Sequence, residues 1–176
     1  MLRCRDILVG CLALSFALLA ASVRADLGAT ETENLVVEAD VRKAADVRRL
    51  LRAVEDRFGR LDTLVNNAAV FIGGAAGDVT TADWRTIMAI NLDGVFFAIR
   101  AALPHLIATR GSIVNVASAS GIGADWCAAA YDSAKGAVVN LTRSVALDYG
   151  RKGVRINSVC PSLTDTPMAQ VVKDEP

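Results

Sequence analysis

From residue 35 onward, short runs of apolar, mostly β-branched residues alternate with longer segments whose apolar residues recur every three or four positions. The short runs predict buried strands, and the longer segments predict amphipathic helices. Strands that alternate with helices are typical of an α/β domain built on a parallel sheet. The predicted strands cover 35–40, 61–65, 112–117 and 154–159, and the predicted helices cover 47–58, 81–105 and 127–149.

The predicted helices differ in how far their apolar residues spread around the axis. Between residues 47 and 58 they form one stripe, and Gly59 follows as a residue that can end the helix in the left-handed conformation. The helix over 81–105 is apolar almost all round. A helix of this kind is covered on both sides, by its own sheet and, in an oligomer, by a partner subunit.

Residues 1–25 differ from the rest of the chain, because residues 7–23 form an apolar run without a charge, preceded by Arg3 and Arg5. This layout is typical of a secretory signal, although the run is short for a membrane span of about 20 residues. A buried helix or strand of the domain explains it equally well. We therefore separate 1–25 from a domain at 35–170. The expected location is the cytoplasm, with export or membrane tethering through 1–25 as the alternative and 7–23 as the only candidate membrane contact.

Composition excludes several classes of function. The 19 basic residues balance the 19 acidic ones, whereas proteins that bind nucleic acid by neutralising phosphates normally have a basic face. The single histidine, His105, excludes a multi-histidine metal site, and the four cysteines form no C-x-x-C pair. We therefore expect a small-molecule ligand, no nucleic acid partner and no metal.

Tyr131 and Lys135 lie four positions apart on a predicted helix and therefore on one face of it. An ammonium group close to a phenol favours the phenolate and lowers the tyrosine pKa from about 10. A tyrosine tuned in this way can exchange a proton with an alcohol or carbonyl oxygen. The spacing alone is equally compatible with an ordinary surface pair, so the neighbouring motifs are needed to distinguish a catalytic pair from a surface pair.

Other polar positions fall where such chemistry would need them. Ser118 leaves the carboxyl end of a predicted strand, where parallel sheets bind ligands, and its alternative role is that of a turn serine. Asn91 interrupts an apolar helix, and its amide must satisfy backbone groups at a bend or orient a water near the lysine. Asn67 and Ala68 follow another strand, where they form an asparagine turn or admit a flat ligand to the backbone.

Taken together, these positions resemble the motifs of the short-chain dehydrogenase/reductase family over about residues 35–168. The intervals of 27 residues from Asn91 to Ser118, 13 from Ser118 to Tyr131 and four to Lys135 match that family. The resembling segments are Asn67-Ala68-Ala69 for the motif N-A-G, Asn91-Leu92-Asp93-Gly94 for N-L-x-G, Tyr131-Asp132-Ser133-Ala134-Lys135 for Y-x-x-x-K, and Pro161-Ser162-Leu163-Thr164-Asp165-Thr166.

The resemblance implies a Rossmann-like, doubly wound parallel sheet and an oxidoreductase that moves a hydride between NAD or NADP and a small alcohol or carbonyl compound. The substrate that the resemblance implies is a ketone, a secondary alcohol or a 3-oxoacyl compound. By resemblance, Tyr131 is the acid/base, Lys135 holds the ribose hydroxyls, Ser118 orients the reacting oxygen and Asn91 positions a relay water.

The resemblance also implies the cofactor contacts and the oligomer. The expected contacts are Asp40 and Val41 at the adenine, Asn67 and Ala68 near the ribose with Tyr131 and Lys135, and Ser162, Thr164 and Thr166 at the nicotinamide. The helices at 81–105 and 127–149 would form a homodimer or homotetramer interface.

The chain departs from the family before residue 35, where the glycine-rich turn T-G-x-x-x-G-I-G is missing and the only glycines are Gly10 and Gly28. That turn brings backbone N–H groups to the cofactor pyrophosphate. The family sheet therefore looks incomplete, without its first strand–helix units and its final strand, and the strand at 35–40 lacks a neighbour. The alternative function is a truncated, non-catalytic relative that cannot bind the cofactor and acts as an interaction module.

Overall fold

Three parallel strands form the sheet in the described part of the chain, residues 35–165 of a computed structural model. Four α-helices accompany them in that range. The π-helical turn Ala89–Asp93 joins α2 to α3 without a break in the helical path. The elements are α1 Ala44–Phe58, β1 Thr63–Asn66, α2 Thr81–Met88, α3 Gly94–Thr109, β2 Ser112–Val116, α4 Ala129–Tyr149 and β3 Arg155–Val159.

The sheet order is β1-β2-β3, with Thr63 opposite Ser112 and Ser112 opposite Arg155. Helices α2 and α3 connect the first pair of strands and α4 connects the second, as a parallel sheet requires. Leu64 and Ile113 are completely buried. This arrangement confirms the expected α/β fold with a parallel sheet, and the carboxyl ends of all three strands lie at one edge.

The predicted strand at 35–40 is wrong, because these residues form no strand in the structure. A strand needs a neighbour for its backbone groups, and within residues 35–165 the strands β1, β2 and β3 pair only with one another. Side chains of α1 bind this segment instead. Arg49 donates to the carbonyl of Glu38 at 2.7 Å, and Asp46 accepts from the N–H of Asp40 at 3.0 Å.

The helix predicted over 47–58 is α1, which begins three residues earlier, at Ala44. Val47, Leu51 and Val54 are its buried residues, so the stripe faces the core as expected. Gly59 follows with a φ of 71°, in the left-handed region, and its N–H donates to the carbonyl of Glu55. The predicted helix end is therefore confirmed.

The helix predicted over 81–105 extends to Thr109 and passes through the π-helical turn. Its length and composition over Thr81–Thr109 would suffice to cross a membrane, but half of its apolar window is buried inside the domain. Ile99, Ala102 and Leu106 lie in the main core with strands β1 and β2. Phe96 remains 43% exposed, so the cover expected on both sides is incomplete within the described chain.

A buried polar chain crosses the core below the strand ends. Asn66 donates to Oδ1 of Asn115 at 2.8 Å, and Asn115 donates to Oγ1 of Thr142 at 2.9 Å. The Thr142 hydroxyl donates a hydrogen bond to the carbonyl of Val138 at 2.8 Å. Because each of these buried or half-buried groups has a partner, the hydrogen bonds offset the cost of removing them from water and link β1, β2 and α4.

Candidate active site

The loop after β2 brings Ser118 to the carboxyl edge of the sheet. The strand pairing continues past the regular strands, since Ala117 donates to the carbonyl of Val159 at 2.8 Å and Ala119 donates to that of Pro161 at 2.9 Å. Ser118 therefore lies beside the segment that follows β3. Its extended backbone ends in the 3₁₀ turn Ala119–Gly121.

Gly121 allows this loop to touch the helix that carries Tyr131 and Lys135. A Cβ at residue 121 would lie 2.7 Å from the carbonyl carbon of Lys135 and 3.0 Å from the N of Gly136. Because these neighbours are backbone atoms inside α4, only a residue without a side chain fits. The contact holds Ser118 and the helix at a fixed separation.

Tyr131 lies in the third position of α4, half-buried, with the ring of Phe71 edge-on at 5.2 Å between centroids. Burial raises the pKa of its hydroxyl, the nearby Ser118 hydroxyl lowers it, and the carboxylates of Asp132 and Asp125 raise it further. We expected Lys135 to lower this pKa, and that expectation is wrong for this structure, because desolvation outweighs the favourable interactions. Tyr131 is therefore protonated at neutral pH.

Lys135 is the one charged residue that is buried within residues 35–165. Its Nζ donates to the carbonyl of Val116 at 2.8 Å and lies 5.6 Å from the centroid of the Tyr131 ring. Burial lowers the pKa of the ammonium from 10.5 to about 8. An ammonium carries three protons, so the bond to Val116 leaves two for other acceptors.

Asn91 lies in the π-helical turn and is 1% exposed. Its Oδ1 accepts from the N–H of Val70 at 2.9 Å, and its Nδ2 donates to the carbonyl of the same residue at 2.8 Å. The amide thus clamps the loop after β1 onto the helix, the structural alternative considered for it. The relay water remains a prediction.

The side chains of the two residues expected at the adenine, Asp40 and Val41, are engaged within the protein. The Asp40 carboxylate is bound by the Arg42 guanidinium at 2.8 Å, and this hydrogen bond is the main cause that lowers its pKa. Val41 is 8% exposed and packs with Ile90. Any adenine contact from these residues would therefore use backbone groups or the Asp40–Arg42 pair.

The other expected cofactor residues lie at the carboxyl edge. Asn67 is exposed directly after β1, and Ala68 beside it is half-buried. Ser162 and Thr164 are exposed after β3, and Thr164 donates to the carbonyl of Ser162 at 3.0 Å. Thr166 lies outside the described residues.

Two residues that sequence reasoning missed belong to the same loop. Ser120 is buried and hydrogen-bonded to Ser118, and Asp125 accepts a hydrogen bond from Ser120. The Asp132 carboxylate accepts from the N–H of Asp125 at 2.9 Å, and its Oδ1 is buried without a partner in the described range. The sequence signal is limited to two polar residues, Ser120 and Asp125, among the mostly small and apolar residues between Ser118 and Tyr131.

The assembled groups fit the nicotinamide half of a dinucleotide cofactor. A ribose offers hydroxyls that accept from an ammonium, and Lys135 has protons to spare. Residues 68 and 69, directly after β1, are half-buried alanines, whose small side chains would let a flat ring approach the backbone. Ser118 and Tyr131 supply hydroxyl groups at the same edge, where a reacting oxygen would need them.

Comparison with known proteins places the chain in one family. The model of the family described as short chain dehydrogenase matches residues 10–176. Meso-2,3-butanediol dehydrogenase of Serratia marcescens is 52% identical over 134 residues, which cover 76% of this chain and 53% of that protein. A 2-(R)-hydroxypropyl-CoM dehydrogenase of Xanthobacter autotrophicus is 40% identical over 172 residues, or 96% of this chain and 69% of that protein.

Solved structures agree with this assignment. Levodione reductase superposes with a TM-score of 0.85 at 36% identity, over 92% of this chain and 64% of that chain. ElxO with NADP bound superposes with a TM-score of 0.83 at 28% identity, over 93% and 66%. The chain spans between about half and two thirds of the length of these relatives. From the family match, the sheet and the motif spacing together, the chain belongs to the short-chain dehydrogenase/reductase family and has its Rossmann-like fold.

Proposed function

We propose that the chain is a nicotinamide-dependent oxidoreductase that interconverts a small secondary alcohol and the corresponding carbonyl compound. The observation that carries the proposal is the meeting of Ser118, Tyr131 and Lys135 at the carboxyl edge of the sheet, with Gly121 packed directly on the Lys135 backbone. When bound, the nicotinamide cofactor gives or takes the hydride. The relatives named for butanediol and hydroxypropyl-CoM support this substrate class.

The protonation state of Tyr131 determines whether it can act as the acid in carbonyl reduction or as the base in alcohol oxidation. Because burial raises its pKa, Tyr131 holds a proton at neutral pH and can donate it to a carbonyl oxygen as the carbon is reduced. In the oxidation direction the tyrosine must first lose that proton and then accept one from the alcohol. Oxidation is therefore expected to need a higher pH than reduction.

Lys135 and the loop residues would hold the reactants. Lys135, fixed by the carbonyl of Val116, would present its remaining protons to the ribose hydroxyls. Ser118 would orient the reacting oxygen, and Asn67 and Ser162 would border the cofactor at the strand ends. Asn91 is proposed to order a water through the π-helical turn. The structure of ElxO with NADP bound supports a cofactor of this class without separating NAD from NADP for this chain.

Titration with reduced nicotinamide cofactor, followed by its fluorescence, tests the proposal. We expect saturable binding that Lys135→Met weakens, because the variant lacks the ribose donor. No binding at millimolar concentrations of either cofactor would contradict the proposal. That result would favour the alternative, a non-catalytic relative that acts as an interaction module.

The assembly and location of the chain are further parts of this proposal. Helices α2 to α4 carry exposed large apolar residues, including Trp84, Phe96 and Leu147, which supports a homodimer or homotetramer through these helices. The apolar segment at 7–23 lies outside the described residues, and the family match, which begins at residue 10, includes most of it. We accordingly infer a cytoplasmic location, and intact-mass measurement of the protein from its own cell would detect cleavage near residue 25.

A further inference from the structure

A chain of hydrogen-bonded side chains leads from Ser118 into the loop before α4. Oγ of Ser118 lies 3.0 Å from Oγ of Ser120, and Ser120 donates its own proton to Oδ2 of Asp125. The backbone N–H of Ser120 also donates to Oγ of Ser118 at 3.3 Å. Ser120 is buried, whereas Asp125 reaches solvent.

The chemistry of these groups fixes the direction in which the hydrogen bonds run between Ser118 and Asp125. An ionised carboxylate only accepts, so Ser120 must donate to Asp125. A hydroxyl has a single proton, so Ser120 can only accept from Ser118. While Asp125 accepts from Ser120, the Ser118 proton is therefore directed toward Ser120, and a hydrogen bond from Ser118 to a Tyr131 phenolate requires this direction to reverse.

Helix α4, which carries Tyr131 and Lys135, holds Asp125 in place. The N–H of Asp125 donates to Oδ2 of Asp132, the residue that follows Tyr131 in α4, at 2.9 Å. Two residues beyond Asp125, the carbonyl of Cys127 accepts from the N–H of Gly74 at 2.6 Å. These bonds anchor the loop on both sides, so the carboxylate has a defined position although it is exposed.

We propose that Asp125 is a positioning residue that acts through Ser120 to set the direction of the Ser118 hydroxyl. The proposal rests on the proposed function, since the direction matters for catalysis only if Ser118 faces the reacting oxygen. While Asp125 is ionised, Ser118 offers lone pairs, which suit a protonated Tyr131 or an alcohol. If these hydrogen bonds run in the opposite direction, Ser118 offers a proton, which suits a phenolate or a carbonyl oxygen.

The ionisation of Tyr131 reports this direction. Tyr131 faces the carboxylates of Asp125 and Asp132 and the ammonium of Lys135. The Ser118 hydroxyl lowers the Tyr131 pKa, a Ser118 proton directed toward Ser120 weakens that effect, and the charge of Asp125 opposes the phenolate as well. The indirect effect through Ser120 and the direct effect of charge act in the same direction, so a test must separate them.

Spectroscopic titration of tyrosinate measures this ionisation without cofactor or turnover. The chain contains two tyrosines, so in a Tyr149→Phe background the absorbance reports Tyr131 alone. Asp125→Asn should raise the tyrosinate-to-tyrosine ratio at fixed pH about tenfold, a shift of one in pKa. The amide can donate to Ser120 and so release the Ser118 proton toward the phenol. Asp56→Asn, which removes an exposed carboxylate from α1, should change nothing.

Ser120→Ala separates the indirect effect from the direct one. If Asp125 acts through Ser120, most of the effect of Asp125→Asn should disappear in the Ser120→Ala background, as a double-mutant cycle would show. An equal effect with and without Ser120 would overturn the proposal, and so would an effect no larger than that of Asp56→Asn. Asp125→Ala provides a second variant if the asparagine protein does not fold.

Activity is a separate readout. In an active chain, Asp125→Asn should shift the pH profile of kcat for alcohol oxidation to lower pH and leave the KM of the cofactor unchanged. An inactive chain with the expected titration would contradict the proposed function alone. An active chain in which Asp125→Asn does not change the titration of Tyr131 would contradict the positioning role alone.

Discussion

Replacement of Gly121 by alanine tests whether the loop that carries Ser118 must touch helix α4. The new Cβ would lie 2.7 and 2.8 Å from the carbonyl carbon and oxygen of Lys135, inside the 3.4 Å at which ordinary contact begins. Because these atoms belong to the helix backbone, the loop must move away. Overpacking of this kind costs about 1–3 kcal/mol. For a chain of 176 residues this corresponds to a fall in Tm of roughly 2–12 °C.

Gly123→Ala is the matched control in the same loop. Its Cβ would meet only the carbonyl oxygen of Ala119, at 3.7 Å, which is ordinary contact. Alanine also restricts the unfolded chain, so this variant should be neutral or stabilised by up to about 1 kcal/mol. Thermal unfolding followed by circular dichroism compares the two proteins. Equal Tm values for the two variants would refute the reasoning, since only residue 121 lies against α4.

Three other predictions follow from the same region. Asn91→Ala leaves the N–H and the carbonyl of Val70 without their partner, so urea unfolding should show a loss of about 2 kcal/mol or more, and a loss below about 0.5 kcal/mol would contradict the clamp. Burial lowers the pKa of Lys135 from 10.5 to about 8, so the unfolded chain binds more protons between these values, and the free energy of unfolding should rise by about 1.4 kcal/mol per pH there; a Lys135→Met protein with the same slope would argue against this. Because the pKa of Tyr131 is raised, the rate of alcohol oxidation should still rise with pH above neutrality, and a flat profile would contradict its role as the base.

Sequence periodicity predicted much of the fold because the apolar stripes are local. The stripe of α1 and its left-handed end at Gly59 were both confirmed. The segment at 35–40 has the composition of a strand but lacks a neighbouring strand in the described chain, and pairing is a property of the whole sheet. The π-helical turn was indicated only by a polar residue, Asn91, inside an apolar helix.

The sequence motifs predicted which residues form the candidate site, but they did not predict the direction in which its pKa values shift. Spacing along α4 placed Tyr131 and Lys135 on one face, and the structure brings them together. Whether the Tyr131 pKa is raised or lowered depends on how deeply the phenol is buried, which the spacing of the motifs does not reveal. The link from Ser118 through Ser120 to Asp125 depends on the path of a loop, and no periodic pattern encodes that path.

Tyrosine-dependent turnover tests the central claim most directly. The full chain is incubated with NAD or NADP and a panel of secondary alcohols that includes 2,3-butanediol, and the reduced nicotinamide is followed by its absorbance. We predict turnover with at least one alcohol, and a loss of roughly 100-fold or more on Tyr131→Phe, because proton transfer by a positioned group contributes at least that factor. Equal rates for the two proteins, or no turnover with any alcohol and either cofactor, would contradict the account.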